Sequence, residues 1–401
     1  MSPWLEPEVT SEDGPPPEAA TVRAEIRPQT PILPLAGSGP PAAPATTLLA
    51  DAFGPKTLVS PVERPAGAVA GGKVLVAYQW TKGWTESIRA RLFDPAHPGG
   101  GELRLTPAND IYGDPEVISH GSRFFVTWRH GWGPDRQGRW VEADGTLGPV
   151  LHLPVEGASM GVRLVAHGSG FAGAYANLRE EGGFTLYSVL LDADLKPIAP
   201  GLALDDAQHF GDLTVKQLVL RNGQIWVAAE GTGRRRSSMQ LHLIRLGADG
   251  TVIGTVDEVS NTRGDALLPG VVEVPAGVLF SWLEQPSEGL PGKLWTRKLD
   301  VAGKPLGPAL MIGEGGTRSE GLELVLDQGQ PLLITQRGRT LRLDASGAVR
   351  AEATAVPAAG TQSIWLATAP SPSLAWIESR GTKNELVFAS LRCATGTARP
   401  R

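Results

Sequence analysis

Residues 121–148 read Gly121-Ser-Arg-Phe-Phe-Val-Thr-Trp-Arg-His-Gly-Trp-Gly-Pro-Asp-Arg-Gln-Gly-Arg-Trp-Val-Glu-Ala-Asp-Gly-Thr-Leu-Gly148, and this stretch decides the fold. Its first half alternates two sets of side chains, one of which is Phe124, Val126 and Trp128. A period of two predicts a β-strand. A loop of Gly, Trp, Pro and Arg follows, then a second short strand that ends in an Asp-Gly turn. The stretch therefore predicts two neighbouring antiparallel strands.

The same unit recurs, in degraded form, along the chain. Aligning the second strand of each copy puts one position in register every 40–54 residues, mostly as a large aromatic: Tyr78, Trp128, Tyr175, Ala229, Trp282, Gln336 and Trp376. Inner strands are predicted before it, at residues 114–120, 161–167, 213–221, 270–274, 321–326 and 362–368. Third strands are predicted after it, at residues 87–93, 139–142, 185–191, 240–246, 293–299, 339–343 and 385–391. Outer strands then follow, as at 149–154, 201–205 and 309–313. Repeats of this length are typical of propeller blades, so the sequence predicts an all-β, seven-bladed β-propeller.

Several third strands are predicted to end in turns of one plan. The copies are Glu142-Ala-Asp-Gly145, Gly247-Ala-Asp-Gly250, Asp300-Val-Ala-Gly303 and Asp344-Ala-Ser-Gly347. Asp accepts hydrogen bonds from the backbone that follows it, and Gly adopts the positive φ that such turns require. A calcium loop would need the spacing Asp-x-Asp-x-Asp-Gly, which the sequence lacks. The pattern therefore favours hairpin turns over metal sites.

The two ends of the chain are predicted to meet. The last repeat has no outer strand, because only a short polar tail follows residue 391. Residues 47–53 form an extra apolar stretch before the first repeat, so we expect this N-terminal strand to complete the last blade and close the ring. Residues 1–45, rich in Pro, Ala and Glu, predict a disordered leader. The propeller is then residues 46–396, with a flexible tail at 397–401.

Composition narrows the classes of protein to which the chain can belong. There are 37 basic and 42 acidic residues, and the net charge of −5 gives no indication of a nucleic-acid or anionic-membrane partner. The single cysteine, Cys393, excludes an intrachain disulfide and a multi-cysteine metal site. No apolar run reaches the length of a membrane span, and the N-terminus lacks the signal-peptide pattern. The default is a cytoplasmic protein, but an envelope or secreted protein whose signal was removed fits equally well.

The repeat resembles that of bacterial β-propellers whose blades read aromatic strand, Leu-Asp-x-x-Gly, then Pro-Leu-Gly. Leu299-Asp-Val-Ala-Gly-Lys-Pro-Leu-Gly307 is the clearest copy, and the resemblance covers nearly everything after residue 46. The resemblance implies a β-propeller architecture. The Trp-Asp dipeptide of WD40 repeats and the Asp box of sialidases are both absent from the sequence. Since lectins, scaffolds and enzymes share this fold, the resemblance implies no particular activity.

Polar and aromatic residues are expected to gather on the face where the second strands end. The predicted binding residues are Trp80, Trp84, His130, Trp132, Arg136, Asn177, His209, Glu284 and Glu378. Asp110 and Tyr112 join them if the loops between blades share that face. Such residues suit stacking on, and bidentate hydrogen bonding to, a sugar or a peptide. Aromatic residues that merely cap the blade ends would give the same pattern.

The predicted inner strands also carry charge, at Glu116, Arg163, Lys216, Glu273 and Glu323. These residues could form a charged site in the central channel. A water-filled tunnel lined with mixed charge needs no ligand, and we favour it.

Three short motifs match functional patterns formally. Gly157-Ala-Ser-Met-Gly161 spells a nucleophile elbow, Gly168-Ser-Gly-Phe-Ala-Gly173 a dinucleotide fingerprint, and Arg263-Gly-Asp265 an adhesion tripeptide. The first two require a following helix, which the strand pattern does not predict. We interpret all three as turns and loops.

Together these observations predict a non-enzymatic binding or scaffolding propeller that engages a protein or glycan through its loop-rich face. We expect it to be monomeric unless tethered, and we assign no catalytic residue, metal or cofactor. The alternative is a carbohydrate-active enzyme, a glycoside hydrolase or lyase, that uses carboxylates such as Glu284 and Glu378. Two carboxylates converging in a deep, aromatic-walled pocket would favour the enzyme. A flat or open rim would favour the binding protein.

Overall fold

The structure is a computed structural model that describes most of the chain from residue 48 to residue 393. The described ranges are 48–58, 65–82, 85–94, 101–108, 110–131, 133, 135–155, 158–178, 184–204, 214–232, 238–256, 259–260, 262–287, 289–317, 322–335, 339–354, 362–366, 373–380 and 383–393. These residues form strands and turns without a helix. The all-β prediction is confirmed.

Six sheets are each built from four strands consecutive in sequence, all paired antiparallel in chain order. Sheet 1 comprises β2 Ala66–Ala70, β3 Lys73–Lys82, β4 Thr85–Phe93 and β5 Glu102–Arg104. Sheet 2 comprises β6 Tyr112–His120, β7 Arg123–His130, β8 Arg136–Val141 and β9 Leu151–His152. Sheet 3 comprises β10 Ala158–His167, β11 Gly170–Leu178, β12 Phe184–Leu191 and β13 Pro197–Ala203. Sheet 4 comprises β14 Thr214–Arg221, β15 Gln224–Thr232, β16 Met239–Leu246 and β17 Val252–Val256. Sheet 5 comprises β18 Asp265–Val274, β19 Gly277–Gln285, β20 Lys293–Asp300 and β21 Leu310–Glu314. Sheet 6 comprises β22 Leu322–Asp327, β23 Gln330–Thr335, β24 Arg339–Leu343 and β25 Val349–Thr354.

A further four-stranded sheet joins the two ends of the described chain. It comprises β26 Gln362–Leu366, β27 Ser373–Arg380, β28 Lys383–Cys393 and, outside β28, β1 Leu48–Leu58. β1 and β28 pair antiparallel from Leu48 opposite Cys393 to Leu58 opposite Glu385, with an irregularity between Phe53 and Thr57. The strand expected at residues 47–53 therefore exists, is longer than expected, and lies beside the last third strand.

The first strands of the sheets lie next to one another around a common axis. Contacts run from β2 to β6, β10, β14, β18, β22 and β26, and β26 contacts β2 in turn. Sheets arranged radially about their first strands are the arrangement of a β-propeller. Residues of different sheets come together where these first strands approach the axis, so functional groups from several sheets can meet there.

The hydrophobic core lies between neighbouring sheets rather than within one. One cluster combines Trp226 and Leu243 of sheet 4 with Val271, Phe280 and Trp282 of sheet 5. The aromatic position of the repeat is buried at Tyr78, Trp128, Tyr175 and Trp282. Gln336 lies outside the described residues, and Trp376 is placed in β27 without a described side chain. A large aromatic at this position therefore fills the space between two sheets, which explains its recurrence.

The turns after the third strands follow the predicted plan. In the turn that begins at Asp300, the carboxylate Oδ1 accepts the backbone N–H groups of Ala302 and Lys304, both at 2.8 Å. Gly303 has φ +82° and donates its N–H to the Asp300 carbonyl at 3.0 Å. The carboxylate is thus occupied by backbone donors, as a structural turn requires. The copy at residues 192–195 differs, because Leu195 takes the position of the glycine with φ +62°.

Some predicted boundaries were wrong. The third strand of sheet 2 begins at Arg136 instead of at residue 139, and its outer strand is only Leu151–His152. The inner strand of sheet 5 begins at Asp265 instead of at residue 270. The pairing of β7 with β8 in sheet 2, and that of β18 with β19 in sheet 5, extends further than the apolar pattern indicates. Polar residues near the strand ends, such as Arg136, carry the pairing on.

Candidate functional site

A cavity of about 400 Å³ opens on the axis among the first strands of sheets 1–6. It is lined by Pro65, Ala66, Gly67, Asp114, Pro115, Glu116, Val117, Ile118, Arg163, Leu164, Lys216, Gln217, Leu218, Pro269, Gly270, Leu322, Glu323, Leu324 and Val325. This volume falls in the range of small-molecule sites, which is roughly 300–1,000 Å³. The cavity is large enough for a sugar or a molecule of similar size.

Irregularities in the first strands shape this cavity. The pairing of β6 with β7 shifts register between Gly113 and Glu116, and Asp114 within the shift has φ +51°. β10 and β18 shift at equivalent places, where Gly161 has φ +63° and Leu268 has φ +55°. A β-bulge bends its strand and redirects side chains. The repeated bulge is therefore a feature of the fold, and sheet 2 places an acidic residue on it.

One wall of the cavity is charged. Glu116 of β6 forms an ion pair with Arg163 of β10. Arg163 also donates from Nε to the backbone carbonyl of Lys216 at 3.3 Å, and Lys216 Nζ lies 3.2 Å from Glu230 Oε2. Glu230 is 1% exposed, and its Oε1 accepts the N–H of Leu268 at 2.5 Å. Two neighbouring cations, Arg163 and Lys216, are thus flanked by the carboxylates of Glu116 and Glu230.

Asp114 is held at the mouth of the same wall by Arg136. The guanidinium pairs with the Asp114 carboxylate and donates to the Asp114 carbonyl at 3.3 Å. Arg136 is 5% exposed, although the corresponding residues of other third strands are apolar: Ile88, Leu186, Leu241 and Leu294. Burial of a guanidinium is costly unless a carboxylate is paired with it. The pair therefore fixes Asp114 in position at the cavity.

The opposite wall is mostly aliphatic. Pro65, Ala66, Pro269, Leu322 and Leu324 line it, and Glu323 adds one carboxylate. The lining contains no aromatic side chain among the residues described, so the aromatic-walled pocket expected for an enzyme is replaced by proline and leucine. The cavity as a whole is amphipathic, with a charged side and a hydrocarbon side.

Glu116 is the most deeply placed carboxylate of the cavity. Burial raises its pKa above the ordinary value for glutamate, against the opposing effect of the Arg163 guanidinium and its hydrogen bond. Removing a carboxylate from water disfavours its charged form. Glu116 is therefore the lining carboxylate best suited to carry a proton.

A second polar cluster lies on the rim of sheet 2, around His130. Its Nε2 lies 2.8 Å from Asp110 Oδ2 and its Nδ1 lies 3.0 Å from Asp135 Oδ2, while the Tyr112 ring stacks on it at 5.2 Å. The hydrogen bond with Asp135, followed by the one with Asp110, raises the pKa of His130. The pKa of Asp110 is lowered, first by the N–H of Ile111 and then by His130. The loop before β6 thus shares the face of His130, which meets the condition under which Asp110 and Tyr112 join the rim residues.

Of the other predicted rim residues, those whose side chains the structure describes are not brought together into one site. Trp80 is half-buried under the Arg89 guanidinium, 3.7 Å from the ring centroid. Glu284 accepts the N–H of Gly264 at 3.3 Å, and Asn177 lies in β11 opposite Thr185. Arg136 belongs to a strand and is buried, so its assignment to a loop was wrong. Trp84, Trp132 and His209 lie outside the described residues, and Glu378 is placed in β27 without a described side chain.

The inner-strand residues were predicted more accurately than the rim. The cavity is lined by four of them, as both the charged-site and the water-filled-tunnel interpretation require: Glu116, Arg163, Lys216 and Glu323. Glu273 does not line it, because it pairs with Arg221 at 3.2 Å farther along β18. Asp114 and Glu230 were missed. Glu230 was detectable as a lone charge directly after the apolar run Ile225–Ala229 of a buried strand.

The described residues offer no metal centre: no three of their His, Cys, Asp and Glu side chains are grouped to hold an ion. The two nitrogens of His130 face different carboxylates on opposite sides of the ring. A search of the same part of the chain for helices able to cross a bilayer finds none.

No protein-family model and no curated protein matches this chain. Among solved structures it is similar to the α-L-arabinanase of Penicillium chrysogenum, at 13% identity over 88% of this chain and 99% of that one, with a TM-score of 0.46. It is similar to Sqt1 of Chaetomium thermophilum at 12% identity over 84% of each chain, with a TM-score of 0.49. It is also similar to a Trypanosoma rangeli sialidase at 9% identity, with a TM-score of 0.44, over 87% of this chain and 58% of the sialidase.

These matches correct the functional prediction. The similar structures include an endo-arabinase, an arabinanase, an arabinofuranosidase and sialidases, which belong to the class that the sequence gave only as the alternative. The non-enzymatic binding or scaffolding propeller is therefore not carried forward. At 13% identity or less and TM-scores below 0.5, the likeness assigns no residue and no substrate. Any activity of this chain has to follow from the residues of the cavity itself.

Proposed function

We propose that this protein is a carbohydrate-active enzyme that hydrolyses a glycosidic bond in the central cavity. The observation that carries the proposal is the partly buried Glu116, whose pKa is raised, beside the ion-paired Asp114 in one cavity. Glycoside hydrolysis requires one carboxyl group that donates a proton to the glycosidic oxygen and one carboxylate that activates a water molecule or attacks the anomeric carbon. Different environments that separate the pKa values of two carboxyl groups provide this division of roles.

The shape of the cavity supports a sugar as the ligand. A sugar ring has polar hydroxyl edges and a hydrocarbon face. The wall of Glu116, Arg163 and Lys216 offers donors and acceptors to the hydroxyls, and Pro65, Pro269 and Leu324 offer a surface to the hydrocarbon face. A cavity that joins convergent polar groups to an apolar surface can bind both parts of such a ring.

We assign Glu116 as the general acid and Asp114 as the general base. Glu116 gives its proton to the glycosidic oxygen as the bond from that oxygen to the anomeric carbon breaks. Asp114 takes a proton from a water molecule whose oxygen bonds to the anomeric carbon. The products are a hemiacetal and an alcohol, and exchange with solvent returns the proton from Asp114 to Glu116. Glu323, on the facing wall, is the second candidate for the base.

The first test is hydrolysis of a panel of polysaccharides and aryl glycosides, measured as new reducing ends. Glu116→Gln and Asp114→Asn are expected to lose at least about 100-fold in kcat, because proton transfer contributes on that order. The control is Glu142→Gln, an exposed glutamate 3.5 Å from Arg123 at a turn outside the cavity lining. Full activity in Glu116→Gln, or no cleavage of any glycan by the parent, would remove the proposal.

We propose further that the catalytic unit is a closed seven-bladed ring, residues 46–396, which acts as a monomer. The pairing of β1 with β28 and the contacts of β26 with β2 and β22 support this. The predicted rim residues, including His130 and Glu284, then border the entrance for a glycan chain. Deleting residues 1–40 is expected to leave the melting temperature within about 2 °C. Deleting residues 1–58 exposes the edge of β28 and should cause aggregation, measured by light scattering. A stable monomer without residues 1–58 would contradict closure.

A further inference from the structure

Each described cation beside the cavity already has a carboxylate partner. Arg163 is paired with Glu116, and Arg136 with Asp114. Lys216, whose side chain is about 30% exposed, is paired with Glu230 at 3.2 Å. An anionic ligand would therefore have to compete with a protein carboxylate for every positive charge on this wall.

Glu230 is placed as a fixed anion behind the wall. It lies on β15, outside the cavity lining, and its Oε2 contacts Lys216 of the lining. The corresponding residue of sheet 2 is the cation Arg129, and those of sheets 1, 3 and 5 are uncharged: Gln79, Ala176 and Leu283. Its second oxygen holds the backbone N–H of Leu268 at the bulge of β18. A buried carboxylate fixed by a backbone donor cannot turn away from the cation it neutralises.

The lining carries no excess of positive charge. Asp114, Glu116 and Glu323 face Arg163 and Lys216, so cations do not outnumber carboxylates even when Glu116 holds its proton. A sugar carboxylate placed here would be taken from water and would have to displace the Glu116 side chain from Arg163 or the Glu230 carboxylate from Lys216. Desolvation of a charge that lacks a partner is strongly unfavourable.

We propose that the cavity admits sugars without an ionised group and rejects acidic sugars, and that Glu230 sets this selectivity by neutralising Lys216. The inference rests on the proposed function, since it names the substrate class of the same cavity. Glu230 is a specificity-determining residue that acts through Lys216.

The test compares galactose with galacturonate, which differ in one hydroxymethyl or carboxylate group, by calorimetric titration. The parent is expected to bind galactose at least about tenfold more tightly, because like charges in a recognition site cost several kcal/mol. In Glu230→Gln the amide can keep the bond to the Leu268 N–H while Lys216 loses its partner. The preference for galactose should shrink at least about tenfold or reverse.

Two variants control for a general effect of altered charge. Glu273→Gln removes an ion-paired glutamate of β18 outside the cavity lining and should leave the ratio of affinities unchanged. Lys216→Met leaves the Glu230 charge uncompensated and should weaken galacturonate binding further. This second variant decides the matter if Glu230→Gln does not fold, as judged by circular dichroism.

A bromide soak of crystals reports on Lys216 without reference to any sugar. Anomalous scattering should show no bromide at Lys216 in the parent and one in Glu230→Gln. Bromide bound in the parent, or galacturonate bound as tightly as galactose, would overturn the inference while the proposed hydrolysis stands. If the parent neither binds nor cleaves any glycan, the proposed function fails and the substrate assignment fails with it.

Discussion

The cavity wall and the rim cluster both set carboxylates beside cations, only a few residues apart on sheet 2, but with opposite results. At Glu116, burial dominates and raises the pKa, although Arg163 opposes it. At Asp110, a backbone N–H and His130 dominate and lower the pKa. The pair of Arg136 with Asp114 lies between the two types, because Arg136 is 5% exposed and Asp114 is 40% exposed, whereas Asp135 and His152 extend the exposed type. Depth in the fold, and not residue type, decides whether a carboxylate here favours or disfavours its proton.

The largest expected effect comes from removing a cation at the buried end. Arg163→Met leaves Glu116 without its partner and should lower the free energy of unfolding by about 3–5 kcal/mol at neutral pH. The loss should be smaller at acid pH, because Glu116 can then be neutral. Its raised pKa already makes the folded state bind protons more readily than the unfolded state, so stability falls as pH rises through the folded pKa. Urea denaturation at about pH 5 and pH 8 measures this.

The double variant Arg163→Met with Glu116→Gln is the matched control. Removing both charges should restore most of the lost stability, because no unpaired ion remains in the wall. A loss below about 1 kcal/mol in Arg163→Met alone would mean that Glu116 reaches solvent and that the cavity wall resembles the rim.

A smaller effect is expected at the exposed end. His130→Asn should lower the free energy of unfolding by at most about 1 kcal/mol, since the pairs with Asp110 and Asp135 are open to solvent. The pKa of His130 is raised in the folded protein, so its contribution is full below the ordinary histidine value of 6.5 and is lost as pH rises through the folded pKa. Melting temperatures of parent and variant should therefore converge at high pH.

The carboxylates of the rim can be ranked by nuclear magnetic resonance titration of His130. Asp135→Asn should lower the pKa of His130 more than Asp110→Asn does, because the hydrogen bond with Asp135 is the larger cause of the shift. A difference between parent and His130→Asn that persists unchanged at high pH would instead assign the effect to the stacking of Tyr112. In that case the charge of His130 would contribute nothing to the stability of the rim cluster.

The sequence predicted the features that recur from repeat to repeat and depend on residues close together in the chain. The aromatic position at Trp128 and Trp282 recurs because each sheet presents the same gap to its neighbour. The turn at Asp300 was predictable because its hydrogen bonds close within five residues. Both are properties of one repeat, so alignment of the repeats reveals them.

The features that the sequence did not predict depend on other sheets. Arg136 looked like a loop residue, and only the bulge at Asp114 explains why it is buried in a strand. Leu195 breaks the glycine pattern of the turns because its side chain packs beside Phe125 and Trp140 of the neighbouring sheet. The contact offsets a positive φ that leucine rarely adopts. Such contacts between sheets leave no pattern in the residue spacing of a single repeat.

The pairing of Leu48 with Cys393 has a consequence for how the protein is made. The partner of β1 lies about 345 residues later in the chain, and a ribosome adding ~5–20 residues per second needs on the order of 20–70 s to reach it. During that time β28 does not yet exist, and the edge that it will cover stays open on the nascent chain. An open strand edge can pair with other chains, so shielding it until β28 is made would protect the nascent chain from aggregation.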